Sequence, residues 1–295
     1  MSPPYARRFR PGFDAAENGA VVSPFPCVPV FPCVKIPSVK ISAVVITRNE
    51  EANIEAALLS LEGIASEIVV VDSHSTDRTV KLARKHTDKV TERTWTNFAD
   101  QKNFGNDQAS HPWILSLDAD ERLSPELRDE MKAMLEDEPD CAAFSMPRRV
   151  FYLGRWIRHS GWYPDRKVRL FRKERARWEG AYVHESLVVA GEVRKLKGDI
   201  HHYTYRSIAD HLARINRFSD LGAQKLYAEK KKCRWYHLLC QPFGRFVKSY
   251  VFKRGFQDGF AGLVVSVLNG YSIFVRYAKL REIWKKGERI EPFPD

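Results

Sequence analysis

Two apolar runs, EIVVVD (Glu67–Asp72) and WILSLD (Trp113–Asp118), stop abruptly on an aspartate. A run that is apolar at nearly every position has no wet face, so both read as strands covered on both sides. Such strands belong to parallel sheets, whose crossovers are helices. The surrounding chain supplies these elements in order. KISAVVI, from Lys40, is a short β-branched strand, and NEEANIEAALLSL follows as a helix with Ile54, Leu58 and Leu61 on one face. DRTVKLARKH is a second helix, capped by Ser75 or Asp77, and DKVTER a third, weaker strand. FADQKNFGNDQAS and PELRDEMKAMLED read as helices on either side of WILSLD, the latter started by Ser124 and Pro125. The alternation predicts an α/β domain on a mainly parallel sheet.

After Pro139 the pattern changes. CAAFSMPRRVFY, KVRLFRK and ESLVVAGEVRKL predict strands of a mixed or antiparallel extension. SIADHLARINRFSDLGAQKLYAEKKK predicts a long basic helix, and 235–286 further helices rich in aromatics. At the other end, residues 1–38 carry a proline every few positions and no sustained period, which predicts a poorly ordered tail. The expected organisation is this tail, the α/β domain over 39–205 and a helical region over 206–295. Five widely spaced cysteines form no CxxC pair, and the N-terminal arginines precede no apolar run. Both features fit a reduced cytoplasmic setting.

Ligands of open parallel sheets bind beyond the carboxyl ends of the strands. Here those ends read TRNE (Thr47–Glu50), DSHSTD (Asp72–Asp77) and DADE (Asp118–Glu121), so polar and acidic groups converge on one edge. No GxGxxG follows the first strand and no GxxxxGK[ST] occurs, which excludes the usual dinucleotide and P-loop sites. Asp72 suits a ribose hydroxyl or a base N–H. The Asp118/Asp120 pair suits a ribose together with a hard cation that also holds a diphosphate. Asp77 reads better as a turn or cap residue and Glu121 as structural support.

Taken in order, AVVITRNEEANI, EIVVVDSHSTDRT, QKNFGNDQA and LSLDADE resemble the inverting glycosyltransferases of family 2, with their GT-A fold: a Rossmann-like mixed sheet flanked by helices. WYPDRKVRLFRK, WEGAYVHESL and HHYTYRS are similar to the bacterial lipopolysaccharide-core glucosyltransferases of that family. The resemblance implies metal-assisted single displacement from a UDP-sugar, glucose in this branch, onto a hydroxyl of a lipopolysaccharide inner-core acceptor. The alternative is a polyprenol-phosphate or exopolysaccharide acceptor. It implies that Thr47, Asn49 and Glu50 line the base and ribose pocket and that Asp72 contacts uracil or ribose. Lys102 and Asn103 would approach the nucleotide or donor sugar, and Asp118 the ribose or sugar. Asp120 would ligate manganese or magnesium with His202, for which His201 and His184 are rivals. The general base would be Glu185, with Asp165 in reserve; the Glu-Asp pair that many members carry at this point is missing here.

The net charge of +11 suggests an anionic partner. Nine lysines and arginines crowd 225–254, against Glu229 within it and Asp258 just beyond. Phe260–Val275 has no charge but falls short of the roughly 20 residues that span a bilayer. Together they predict peripheral attachment to the anionic inner face of the cytoplasmic membrane, near a lipid-linked acceptor. No nucleic-acid-binding motif accompanies the charge, so nucleic acid is not an expected partner.

Overall fold

The computed structural model describes residues 39–180 and 185–286. The tail expected at 1–38 and the rival ligand His184 lie outside the described residues. Strands β1 (Ile41–Thr47), β2 (Glu67–Asp72), β3 (Val90–Glu92) and β4 (Trp113–Asp118) form the parallel half of the sheet. Every residue of β1 is buried, with Ala43 and Val45 in the core on one face and Val44 and Ile46 in the core on the other. That is the period-two alternation of a strand covered twice. Helices α1 (Ile54–Leu59), α2 (Thr79–Ala83), α3 (Phe98–Gln108) and α4 (Pro125–Met134) make the connections. Helix α3 approaches β1 so closely that a Cβ on Gly105 would lie 2.4 Å from Val44 Cγ1.

Beyond β4 the sheet becomes mixed. The order is β3-β2-β1-β4-β8-β6-β12-β5, with β8 (Asp165–Arg172) antiparallel to both β4 and β6 (Ala143–Tyr152). Short strands β5 (Glu121–Leu123) and β12 (Ile200–His202) pair antiparallel at the far edge. β7 (Arg155–Trp156) and β11 (Val193–Lys195) add to β6, and β9 (Ala176–Glu179) pairs with β10 (Ser186–Val189) as a separate ribbon. ESLVVAGEVRKL is therefore two strands in two sheets, broken at Gly191, whose φ of 133° favours glycine. The remaining helices are α5 (Ile208–Ala228), α6 (Trp235–Leu238), α7 (Cys240–Val247) and α8 (Gly259–Lys286). A π-helical turn (Lys248–Phe252) and a 3-10 turn (Gly255–Asp258) join α7 to α8. α8 packs on both α5 and α7.

The first two helices start later than the sequence suggests. Residues 50–53 form a turn in which Asn53 and Ile54 N–H both donate to Glu50 C=O at 2.9 Å, so α1 begins at Ile54. Ser75 is occupied with Asp72 and Asn49. Asp77 instead accepts from Thr79 N–H at 2.9 Å at the start of α2.

Candidate active site

The register pairs Thr47 with Asp72 and Ile46 with Asp118, so the last residues of β1, β2 and β4 reach one edge together. Asp118 is the hub of this edge. Its Oδ2 accepts from Arg169 Nη2 at 2.7 Å and its Oδ1 lies 3.2 Å from Lys102 Nζ. Arg169 comes from β8 and Lys102 from α3, and both are almost wholly buried. Burial opposes ionisation of Asp118, but the two cations outweigh it and hold the carboxyl far below the usual range. The same reasoning keeps Arg169 charged: burial opposes it, and Asp118 and Glu121 overcome the burial.

Glu121, fully buried on β5, supports the hub. It accepts from Arg169 Nη2 at 2.7 Å, from Arg148 Nη1 at 3.1 Å and from Asp118 N–H at 3.2 Å. Arg148 continues to Asp165 Oδ2 at 2.7 Å, and Asp165 Oδ1 meets Lys167 Nζ at 3.1 Å. A chain of seven charges of alternating sign thus runs from Lys102 to Lys167. Arg148 and Arg169 were missed by sequence reasoning, because arginines within PRRVFY and KVRLFRK look like solvated positions of ordinary strands. Only the antiparallel pairing of β8 with β4 and β6 turns them toward the carboxylates.

Asp120 lies in the turn after β4, and its Oδ2 is 3.1 Å from His202 Nε2. β12 reaches it by pairing His202 with Glu121, and Tyr203 N–H donates to Asp120 C=O at 2.9 Å. His201 points to the other side of β12 and stacks on Trp156 at 4.1 Å between ring centroids, so the strand alternation separates it from the carboxylates. The carboxylate and the imidazole meet in a direct hydrogen bond, and together they offer one oxygen and one nitrogen donor to a cation. Among the described residues no third His, Cys, Asp or Glu joins them in a metal-binding cluster. Two protein ligands suit magnesium or manganese, which take the rest of their shell from water and substrate phosphate. The donor set fits such an ion.

Glu50 flanks Asp120. Burial pushes its carboxyl up, against the Asn53 hydrogen bond at 2.8 Å, and the Asp120 charge adds to the rise. Arg206 approaches Glu50 at 3.9 Å, and Arg214 of α5 donates to Thr204 Oγ1 at 2.9 Å, adding cationic groups that sequence reasoning did not single out. Thr47 Oγ1 is buried, with no hydrogen-bond partner among the described residues.

Other expected site residues have local duties. Asn49, at a left-handed φ of 53°, accepts from Thr76 N–H at 2.8 Å and gives its own N–H to Ser75 Oγ, stapling the β1 and β2 loops. Asp72 is fully buried and accepts from Ser75 N–H at 2.7 Å. Asn103 is tied to the Trp178 backbone, donating from Nδ2 at 2.9 Å and accepting at Oδ1 from N–H at 3.1 Å, which fastens α3 to β9. Glu185 Oε1 is 3.5 Å from Lys102 Nζ. Burial would raise the Asp165 carboxyl, but Arg148 and Lys167 hold it below the usual range.

The chain matches the model of the family described as "Glycosyl transferase family 2" over residues 42–215. It is similar to a Rickettsia typhi protein named "Uncharacterized glycosyltransferase RT0209", 31% identical over 262 residues, 85% of this chain and 90% of the relative. It is also similar to the "Lipopolysaccharide core biosynthesis glycosyltransferase LpsC" of Rhizobium meliloti, 30% identical over 83% of this chain and 93% of the relative. Among solved structures, S. aureus TarS in complex with UDP-GlcNAc aligns over 85% of this chain and 93% of its own, with a TM-score of 0.44 and 15% identity. The family match over 42–215 and the two relatives at 31% and 30% identity agree with the parallel strands and their acidic carboxyl edge: the chain belongs to glycosyltransferase family 2 and has the GT-A fold.

Proposed function

We propose that the chain transfers glucose from UDP-glucose, with inversion, to a hydroxyl of a lipopolysaccharide inner-core acceptor. The observation that carries the reading is the meeting of Asp118, Asp120 and His202 at one sheet edge, ringed by Lys102, Arg148, Arg169 and Arg206. Carboxylates for ribose and cation beside buried cations suit a nucleoside diphosphate. The likeness to a lipopolysaccharide-core transferase supports the acceptor class.

In this reading Thr47, Asn49, Glu50 and Asp72 border the base and ribose, with Asn103 holding the nearby α3–β9 joint. Asp118 takes a ribose or sugar hydroxyl, kept ionised by Lys102 and Arg169. A magnesium or manganese ion held by Asp120 and His202 would supply Lewis-acid stabilisation of the departing diphosphate. Arg206 and Arg214 add positive charge on the same side. Glu185 is the better candidate to remove the acceptor proton. Asp165 is already committed to an arginine and a lysine and is a weak base for that reason. Attack opposite the leaving group turns an α-linked donor into a β-linked product, and no covalent bond to the protein forms. The acceptor's lipid anchor accounts for a cytoplasmic enzyme on the inner membrane face.

Incubation with UDP-glucose, manganese and a heptose-containing core acceptor tests this. Release of UDP with a β-anomeric product, seen by NMR, is the expected result. An α-anomeric product would exclude single displacement, and turnover of GDP- but not UDP-sugars would exclude the donor.

A further inference from the structure

The exposed apolar side chains of the C-terminal helices are not scattered. On α8, Phe260, Leu263, Val267, Tyr271 and Phe274 are all exposed and follow one another at steps of three or four. On a helix that spacing forms a single stripe, about 21 Å long from first to last. Leu239 and Phe243 of α7 and its start, with Val251, Phe252 and Phe256 of the joining turns, are exposed as well. Phe252, at 76% exposure, is the most exposed of them.

The opposite side of α8 is bound down. Ala261, Gly262, Val265, Ser266 and Gly270 are buried. A Cβ on Gly262 would lie 1.9 Å from Gly255 C=O, and one on Gly270 2.7 Å from Pro242 C=O, so backbone meets backbone there. Length and composition alone would let 255–286 cross a membrane. Spanning would tear α8 from α7 and α5 and expose those contacts to lipid.

Charge decides what covers the stripe. From Lys230 to Arg281 the sequence holds one acid, Asp258, and it is buried, accepting from the N–H groups of Arg158 and His159. Arg234, Arg245, Lys248, Lys253 and Arg254 are exposed around the apolar residues. A second copy of this chain would set that cationic rim against itself. A leaflet of anionic lipid offers the complement of both parts: acyl chains for the aromatics and phosphates for the rim.

We infer that α7, the joining turns and the outer stripe of α8 form a docking face for an anionic lipid leaflet, with α8 lying in the membrane plane. The inference rests on the glycosyltransferase reading only for its purpose, delivery of a lipid-anchored acceptor. Asp258 links the face to the site, because the loop it holds runs directly into Asp165 and β8.

Co-sedimentation of the full chain with vesicles tests the face. The expected result is binding to phosphatidylglycerol–phosphatidylcholine vesicles, little binding to phosphatidylcholine alone, and release as salt rises. A Phe243→Glu/Phe252→Glu/Phe260→Glu variant should bind at least about tenfold more weakly, and an Arg245→Gln/Lys248→Gln/Lys253→Gln variant should lose the preference for anionic lipid. All six side chains are exposed, and an unchanged Tm confirms that the variants fold. Alkaline carbonate should strip the protein from membranes. Absence of binding to anionic vesicles, wild-type binding by the triple Glu variant, retention after carbonate, or a dimer abolished by the same substitutions would each overturn the inference. Turnover of UDP-sugar without vesicles separates the two readings: turnover without vesicle binding sinks the docking face alone, and vesicle binding without turnover sinks the enzymatic reading alone.

Discussion

The central strands carry a partly buried carboxylate at each end, and the two are treated in opposite ways. At the amino end Glu67 of β2 accepts from Ser42 Oγ on β1, from Lys89 Nζ, and from Ser110 N–H and Oγ just before β4. Burial alone would raise its carboxyl, yet these donors bring it down to about 2. Three of the four donors come from serines, and the lysine is half exposed. That arrangement is a staple joining β1, β2 and the approach to β4. At the carboxyl end Asp118 and Glu121 are instead charge-balanced by three cationic side chains, Lys102, Arg148 and Arg169, two of them almost wholly buried. Beside them buried polar atoms stay unmatched among the described residues, Thr47 Oγ1 and His202 Nδ1 among them. A folded protein satisfies nearly all such atoms unless a ligand or water completes them. The same residue type closes one end of the sheet and keeps the other ready for a ligand.

Substitution should separate the two ends. The largest effect is expected for Arg169→Met, which strands Asp118 and Glu121 without their shared cation. Denaturant unfolding should show a loss of about 3–5 kcal/mol, and a variant as stable as the parent would break the contrast. Glu67→Gln should cost less, about 2 kcal/mol at neutral pH, and leave UDP-sugar turnover per folded molecule unchanged. Because the folded-state pKa of Glu67 lies below the ordinary 4.5, its contribution is present above that value and fades as pH falls toward 2. Stability of Glu67→Gln should therefore depend less on pH in that window than the parent's. The smallest effect is expected for Lys89→Met: the lysine is half exposed and the serines remain, so the cost should stay below about 1 kcal/mol. A larger loss would mean that the amino end too relies on charge.

The parallel half was legible because its signals are local. Runs such as EIVVVD are apolar throughout, and helices separate them. Asp118, Asp120 and Glu121 announced themselves by sitting where an apolar strand stops. The second half was harder, since β5, β9 and β12 have three or four residues each and no period to detect. Arg148 and Arg169 gain their meaning only from the register of β8 against β4 and β6. Asn103 has a contact that local reading does not show. It neighbours Lys102 in QKNF, and one helical step turns its amide to the Trp178 backbone. The choice of His202 over His201 was likewise open from HHYTYR, and strand alternation in β12 separates the two.

The central claim is that Asp120 and His202 hold a divalent ion that joins the protein to a nucleoside diphosphate. The most direct measurement is the rise in Tm produced by UDP with and without manganese, in the parent and in Asp120→Ala. Ligand that binds only the native state stabilises it by mass action, by about 2.7 kcal/mol at a hundred times Kd, and so raises Tm. The account predicts a clear shift in the parent when both UDP and manganese are present, a much smaller one with UDP alone, and no manganese-dependent part in Asp120→Ala. An equal, manganese-dependent shift in Asp120→Ala would contradict it.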